Sequence, residues 1–155
     1  LEFIRNIHED QYKKNQKASF FRKLGHGTST GKKSFQISKY TQDMLSALYA
    51  CRTIPNEKIM LNDTIFLEIY NLEKDEMFPT YFVPIKKEIV NTKIGKLNTI
   101  KCKPHIQKSR IFSGKNETYI WITDDNLHIP VKVETPIQVG SIYIEILSVE
   151  NFNEN

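Results

Sequence analysis

The sequence predicts a mainly β protein, namely a curved antiparallel sheet or a partly closed β-barrel with one short α-helix packed on it. The first observation is a stretch from residue 118 to residue 149 in which apolar and polar side chains alternate with a period of two, as half-buried strands require. The second is the content of nine Phe and seven Tyr, because aromatic side chains favour strands. The third is that short turns separate the other predicted strands, and a single segment has helical periodicity.

The stretch 118–149 divides into three strands and two turns. Trp121 stands in the middle of the first strand between two isoleucines, so we expect its side chain to be largely buried. Residues 124–126, Asp-Asp-Asn, predict a short turn because these side chains hydrogen-bond their own backbone. His128, in the second strand, alternates with Leu127 and Ile129, and we predict that it lies at the surface.

Six further strands are predicted earlier in the chain. Their ranges are 1–8, 12–22, 35–39, 64–72, 78–92 and 96–105. Pro79 and Pro84 interrupt the longest strand, and because proline cannot donate to the ladder they indicate an edge or a bulge. Residues 24–33, which carry three glycines, and residues 107–116 are predicted to be loops.

The one predicted helix covers residues 41–52. Thr41 is its predicted N-cap, and the Ile-Pro pair at 54–55 ends it. Met44, Leu45 and Leu48 share one face at helical spacing. Because so short a helix is only marginally stable by itself, we expect this face to cover the sheet.

Composition indicates one globular domain over residues 1–155, with 155 residues and 18.2 kDa. The net charge of +4 is a small excess, which a solvated strand face explains, so no nucleic-acid partner is expected. No run approaches the ~18 apolar residues of a membrane-spanning helix, so no transmembrane segment is expected in this chain. The chain starts at Leu1 inside a predicted strand, so we expect it to lie within a longer precursor.

Metal and cofactor sites are not predicted. The four histidines lie far apart without paired ligand spacing. The glycine-bearing loop fails the phosphate-loop pattern, because Gly25 and Gly31 are one residue too far apart and Lys33 stands where Ser or Thr belongs. Cys51 and Cys102 are best interpreted as buried small hydrophobes. The alternative is a disulfide, worth about 4 kcal/mol in the chain-entropy model.

No catalytic residue is predicted. Asp124, Asp125 and Glu134 are the carboxylates that a glycan hydrolase could use. Such an enzyme needs two carboxyls that face each other across a bond, about 5–9 Å apart. Adjacent turn residues seldom satisfy this, so the turn interpretation is favoured. Arg52, at the helix end, could bind an anion or cap carbonyls. The weak candidates for ligand binding are therefore Arg52, Trp121, Asp124 and Asp125.

Three segments in order resemble a known family. They are DMLSALYACR at 43–52, GKLNTIKCKP at 95–104 and IWITDD at 120–125, and LEFIRNIHEDQY at 1–12 is similar as well. The family is domain of unknown function 3108, of exported proteins in Gram-negative bacteria. The resemblance implies a mainly β fold and a periplasmic or cell-surface location. It also implies that this chain is the C-terminal two thirds of a longer exported protein, whose N-terminal portion with a signal peptide is absent here. It supplies no catalytic residues, and the loop at 24–33 departs from its pattern.

These observations favour a non-enzymatic protein of the cell envelope that binds a ligand, lipid-like or glycan, or a protein partner. A curved sheet with a helix on it can enclose an apolar ligand or offer an edge to a partner. The alternative is an envelope glycan hydrolase that uses the turn carboxylates. A third possibility is a purely structural component of an assembly.

Overall fold

The computed structural model describes residues 1–105, 117–136 and 140–150. They contain ten strands and one α-helix. The elements are β1 (Glu2–Glu9), β2 (Tyr12–Phe21), β3 (His26–Ser29), β4 (Phe35–Gln36), α1 (Met44–Ala50), β5 (Ile65–Asn71), β6 (Glu76–Thr92), β7 (Gly95–Pro104), β8 (Tyr119–Thr123), β9 (Pro130–Pro136) and β10 (Ser141–Glu145). Short 3₁₀ helices cover Arg22–Leu24, Cys51–Thr53 and Asn56–Lys58. The predicted loop at 107–116 lies outside the described residues.

The strands form two antiparallel sheets, in the orders β1-β2-β3-β4 and β10-β9-β8-β7-β6-β5. The chain divides into two compact units: Leu1–Ala47 with Leu67–Pro79, and Leu48–Phe66 with Thr80–Asn155. The predicted mainly β fold with one short helix is confirmed. Neither sheet closes into a barrel in the described part of the chain, so the curved-sheet form of the prediction is the correct one.

The core of the first unit is aromatic. The Phe35 and Tyr70 rings stack with their centroids 4.0 Å apart, and Phe20 meets the Tyr70 ring edge-on at 5.9 Å. Gly27 in β3 makes room for this stack, because a Cβ there would lie 2.6 Å from the Phe35 ring and 3.2 Å from the Ser19 carbonyl oxygen. The segment predicted as a loop therefore contains a strand, whose glycine is needed for packing.

Gly27→Ala should therefore destabilise the protein by about 1–3 kcal/mol, since a methyl group forced into a filled core displaces rings or backbone. Chemical denaturation of the variant and the wild type measures the difference. An unchanged free energy of unfolding would contradict the packing described for Phe35.

A hydrogen-bond cluster joins the same segment to the β5–β6 turn. Asp75 accepts hydrogen bonds from the Tyr70 hydroxyl and, at 2.5 Å, from the Ser29 hydroxyl, and the Lys32 ammonium donates to the Asp75 carbonyl. A Cβ at Gly31 would collide with the Asp75 carboxylate. Burial, and after it the hydrogen bond to Asp75, raises the pKa of Tyr70 above its usual range. Gly27, Gly31 and Lys32 of this segment therefore have structural roles.

The second sheet is strongly curved around its long β6–β7 hairpin. The register of β6 shifts between Pro84 and Lys86, which confirms the predicted bulge at Pro84. At the far end of the hairpin the Lys93 amide donates to the Glu145 carboxylate of β10 over 2.9 Å, although three strands separate β10 from β6 in the sheet. The second sheet must therefore curve so that the tip of the β6–β7 hairpin lies near β10.

The helix is shorter than predicted, and its cap is different. Asp43, not Thr41, is the N-cap: its carboxylate accepts from the Leu45 and Ser46 amides at 2.8 and 3.0 Å, and the Ser46 hydroxyl accepts from the Asp43 amide. Of the three residues predicted to form the buried face of the helix, Met44 and Leu45 are 48% and 64% exposed, so the prediction is wrong for them, whereas Leu48 is half-buried. Capping by Asp43 therefore fixes where the helix begins.

Cys51 and Cys102 are buried free thiols, as the favoured interpretation predicted. The Cys51 thiol donates to the Leu48 carbonyl at 2.7 Å. Burial raises the pKa of Cys51 to about 11 and that of Cys102 to about 12. Both side chains are therefore protonated at neutral pH and act as small apolar groups.

His128 is buried, with 1% exposure, so its predicted surface position is wrong. Its backbone adopts φ +43°, and its amide donates to the Asp125 carboxylate at 3.2 Å, so it belongs to the turn rather than to β9. The turn carries the imidazole inward, and Nδ1 has no hydrogen-bond partner among the described residues. Burial lowers the pKa of His128, against the opposing effect of nearby Asp125.

This burial predicts acid sensitivity. Because the folded-state pKa lies below the unfolded one, the stability contributed by neutral His128 is fully present above the usual pKa near 6.5 and falls as the pH drops below it. His128→Asn keeps a residue that tolerates positive φ and removes the titration. We expect the melting temperature of the variant to fall less than that of the wild type between about pH 7 and pH 5. Parallel pH profiles would contradict this assignment.

No helix in the described residues is long and apolar enough to cross a membrane.

Candidate ligand-binding face

One face of the second sheet carries alternating lysine and aromatic side chains. The register places Lys101 of β7 opposite Trp121 of β8, and Trp121 opposite Lys132 of β9. Since facing residues of adjacent strands project to the same side, the three side chains form a row across the sheet. We call the surface around this row the lysine–aromatic face; its members are Glu88, Lys101, Tyr119, Trp121, Lys132 and Tyr143.

Trp121 is the floor of the face. It is 4% exposed, which confirms the predicted burial. The Lys101 and Lys132 ammonium groups lie 4.9 and 4.5 Å from its ring centroid. Its indole Nε1 donates to Glu88 Oε1 at 2.7 Å, so the polar edge of the ring is satisfied. Trp121 is therefore held in place from both neighbouring strands and from β6.

Each lysine also contacts a tyrosine. The Lys101 ammonium lies 3.7 Å from the Tyr119 ring centroid, and the Lys132 ammonium lies 5.5 Å from that of Tyr143. Such cation–π contacts are worth about 0.5–2 kcal/mol each, depending on desolvation. Tyr143 is 61% exposed, so the outer end of the row offers an aromatic ring to solvent.

Carboxylates compensate most of the positive charge of this region. Glu88 pairs with Lys86 at 2.8 Å, and this hydrogen bond, followed by that of the Trp121 indole, holds the pKa of Glu88 below its usual range. Lys132 pairs with Glu134 at 3.2 Å.

A second ion pair borders the face at Tyr119. Glu117 bonds both Lys103 and the Tyr119 hydroxyl, and its pKa is lowered, first by the Lys103 hydrogen bond. Lys101 differs from its neighbours, because no carboxylate in the described part of the chain lies within ion-pair distance of it. The Lys101 ammonium contacts aromatic rings and interacts with Glu88 and Glu117 only at longer range, which leaves it able to meet an anion.

The other predicted site residues are elsewhere. Arg52 lies in the 3₁₀ helix Cys51–Thr53 and is exposed. Asp124 and Asp125 are adjacent in the turn after β8, and Asp124 pairs with Lys87 at 2.8 Å. Glu134 faces Tyr119 in the β8–β9 register, so of the proposed carboxylates it is the one on the side of Trp121.

Asp125 organises its own turn. Its Oδ1 accepts from the Thr123 hydroxyl at 2.7 Å, the Leu127 amide at 2.9 Å and the His128 amide at 3.2 Å. The predicted turn is therefore present, and one oxygen of this carboxylate is occupied by three donors. This is the geometry of an Asx turn.

The sequence reasoning missed Lys101, Lys132 and Glu88. A signal was present, because Lys101 and Lys103 alternate in one strand and Lys132 and Glu134 in another, at the period of two that puts them on one face. What the sequence could not show was that these strands lie on either side of the Trp121 strand. No group of three or more His, Cys, Asp or Glu in the described residues is arranged to hold a metal ion.

The model of one protein family, described as "Protein of unknown function (DUF3108)", matches residues 1–147. The chain belongs to this family. The match covers every described strand, including all five that build the lysine–aromatic face. No curated protein and no solved structure matches the chain.

The two adjacent turn aspartates should differ in importance. Asp125→Ala should lower the free energy of unfolding by about 2 kcal/mol, since three donors lose their acceptor. Asp124→Ala removes an exposed ion pair and should change it by less than about 1 kcal/mol. Denaturant unfolding of both variants measures this, and equal effects would contradict the assigned role of Asp125.

Proposed function

We propose that this protein is a non-enzymatic binding protein of the bacterial cell envelope, and that its ligand is an acidic glycan held on the lysine–aromatic face. The observation that carries the proposal is the row Lys101–Trp121–Lys132, in which two ammonium groups flank a buried indole. Lysine supplies charge-assisted hydrogen bonds to carboxylates. The exposed ring of Tyr143, beside Lys132, supplies an apolar contact for a sugar ring.

The chemistry of the face favours an acidic glycan over a lipid-like ligand. A site for an apolar molecule is lined mainly by hydrophobic side chains with few polar groups. Here Lys101, Lys132 and Glu88 surround the one tryptophan, so an acyl chain would have to remove charged groups from water. A uronic acid residue instead brings a carboxylate to Lys101 and leaves the glutamates solvated.

The envelope location in this proposal rests on the resemblance of the sequence motifs to a family of exported proteins. No specific observation on the described residues favours the glycan hydrolase alternative. Asp125 is engaged by its turn, Asp124 by Lys87, and Glu134 by Lys132.

Fluorescence titration with a polyuronate oligosaccharide tests the proposal, because Trp121 is the only tryptophan in the chain and lies in the proposed site. We expect saturable binding that weakens with added salt. Lys101→Met should weaken binding by about tenfold, the value of one charge-assisted contact of roughly 1.4 kcal/mol.

Lys87→Met is the matched control, since Lys87 lies on β6 beside Asp124 and faces Ile100 rather than the row. It should bind as the wild type does, and a neutral oligosaccharide of equal length should bind weakly to all three proteins. Equal binding of the neutral oligosaccharide, or equal affinities for the two methionine variants, would contradict the proposal.

A further inference from the structure

Strand β10 is an edge strand with apolar side chains on both of its faces. It pairs with β9 alone among the described strands, as the first strand of its sheet. Ile142 and Ile144 are 43% and 60% exposed on one face, and Tyr143 is 61% exposed on the other. An exposed apolar edge is a template for another strand unless something protects it.

The other terminal strands of the two described sheets are protected. β1 carries Glu2, Arg5 and His8 along its length, and charged side chains disfavour edge pairing. β4 has only two residues. On β5 the backbone is already used by Gln42, whose amide donates to the Glu68 carbonyl at 2.9 Å and whose carbonyl accepts from the Tyr70 amide at 2.8 Å. β10 has neither lysine nor proline, and its one charge, Glu145, is its last residue.

The backbone of β10 has donors and acceptors directed away from β9. The register pairs Ile144 with Val133 and Ile142 with Thr135, and beyond the strand the Ile146 amide donates to the Val131 carbonyl at 2.9 Å. Hydrogen bonding alternates along an antiparallel pair, so residues 142, 144 and 146 bond to β9. The N–H and C=O groups of Tyr143 therefore point outward from the sheet.

We propose that β10 binds β10 of a second copy of this chain, in an antiparallel pair centred on Tyr143. This register is self-complementary: Ile142 faces the partner's Ile144, Tyr143 faces the partner's Tyr143, and Ser141 faces the partner's Glu145. No like charges oppose each other, and the isoleucines of both copies form one apolar cluster. A two-fold interface of this kind closes on itself and yields a dimer.

Sedimentation equilibrium over a range of concentrations tests the association. Five paired residues bury less than the ~1,200 Å² of standard interfaces, so we expect a reversible dimer of micromolar affinity. Ile144→Lys should return the protein to the 18.2 kDa monomer at concentrations where the wild type is dimeric. Ile89→Lys is the matched control, because Ile89 is 68% exposed on β6, outside the proposed interface, so its replacement should leave the dimer intact.

Cross-linking tests the register. Tyr143→Cys places two thiols opposite each other at a spacing of about 5.5 Å between Cα atoms, which a disulfide can bridge. Mild oxidation should give a covalent dimer for Tyr143→Cys and none for Ile89→Cys, while the native thiols stay protected by burial.

A wild-type protein that remains monomeric, or a dimer that Ile144→Lys leaves unchanged, would overturn the proposal. The same holds for Tyr143→Cys and Ile89→Cys cross-linking to the same extent. If the wild type is monomeric and instead binds a strand-forming peptide that Ile144→Lys rejects, the edge serves a different protein. None of these results depends on the glycan.

Discussion

The cross-strand row Lys101–Trp121–Lys132 fixes the register of three neighbouring strands. Side chains alternate between faces, so a slip of one residue in β8 would move Trp121 to the opposite face and bring Ile120 or Ile122 among the lysines. The indole would then lose Glu88 as its acceptor, and a buried N–H without a partner is costly. The same contacts that hold the strands in register build the proposed ligand-binding face.

Each unit must pack its aromatic side chains and satisfy their polar atoms, and the two units do so with different chemistry. In the first unit a glycine allows the stacked rings of Phe35 and Tyr70 to lie against the backbone, and the polar end of Tyr70 is bonded by Asp75. In the second unit the aromatic floor is covered by lysine side chains, whose stems are apolar and whose ammonium groups stay near the surface. The first arrangement is closed to solvent, whereas the second leaves charge where a ligand could reach it. This difference is why the proposed site lies in the second unit.

Local rules predicted most strands and the turn at Asp125, and they failed where the position of a side chain depended on the backbone conformation of a turn or on tertiary packing. The bulge at Pro84 could be predicted because proline has no backbone N–H to donate, which is a property of that residue alone. His128 was wrongly predicted to lie at the surface, because the strand's alternation of buried and exposed side chains was extended to a residue whose backbone has positive φ. Met44 and Leu45 were assigned to a buried face, because helical spacing identifies residues that share a face but not whether any surface covers that face. The candidate site shows the same division, since Trp121 was identified while its lysine and glutamate neighbours were not.

The sequence by itself determined the mainly β class, the single short helix and the burial of Trp121. These features depend on period, on turn chemistry and on residue type, which act over a few neighbouring residues. Only the tertiary structure decided that the strands form two sheets, that Lys101 and Lys132 flank one indole, and that β10 is the terminal strand of its sheet among the described residues. Strand order and register join residues far apart in the chain, and the free energy that selects them comes from cross-strand packing and hydrogen bonding, which no local pattern specifies.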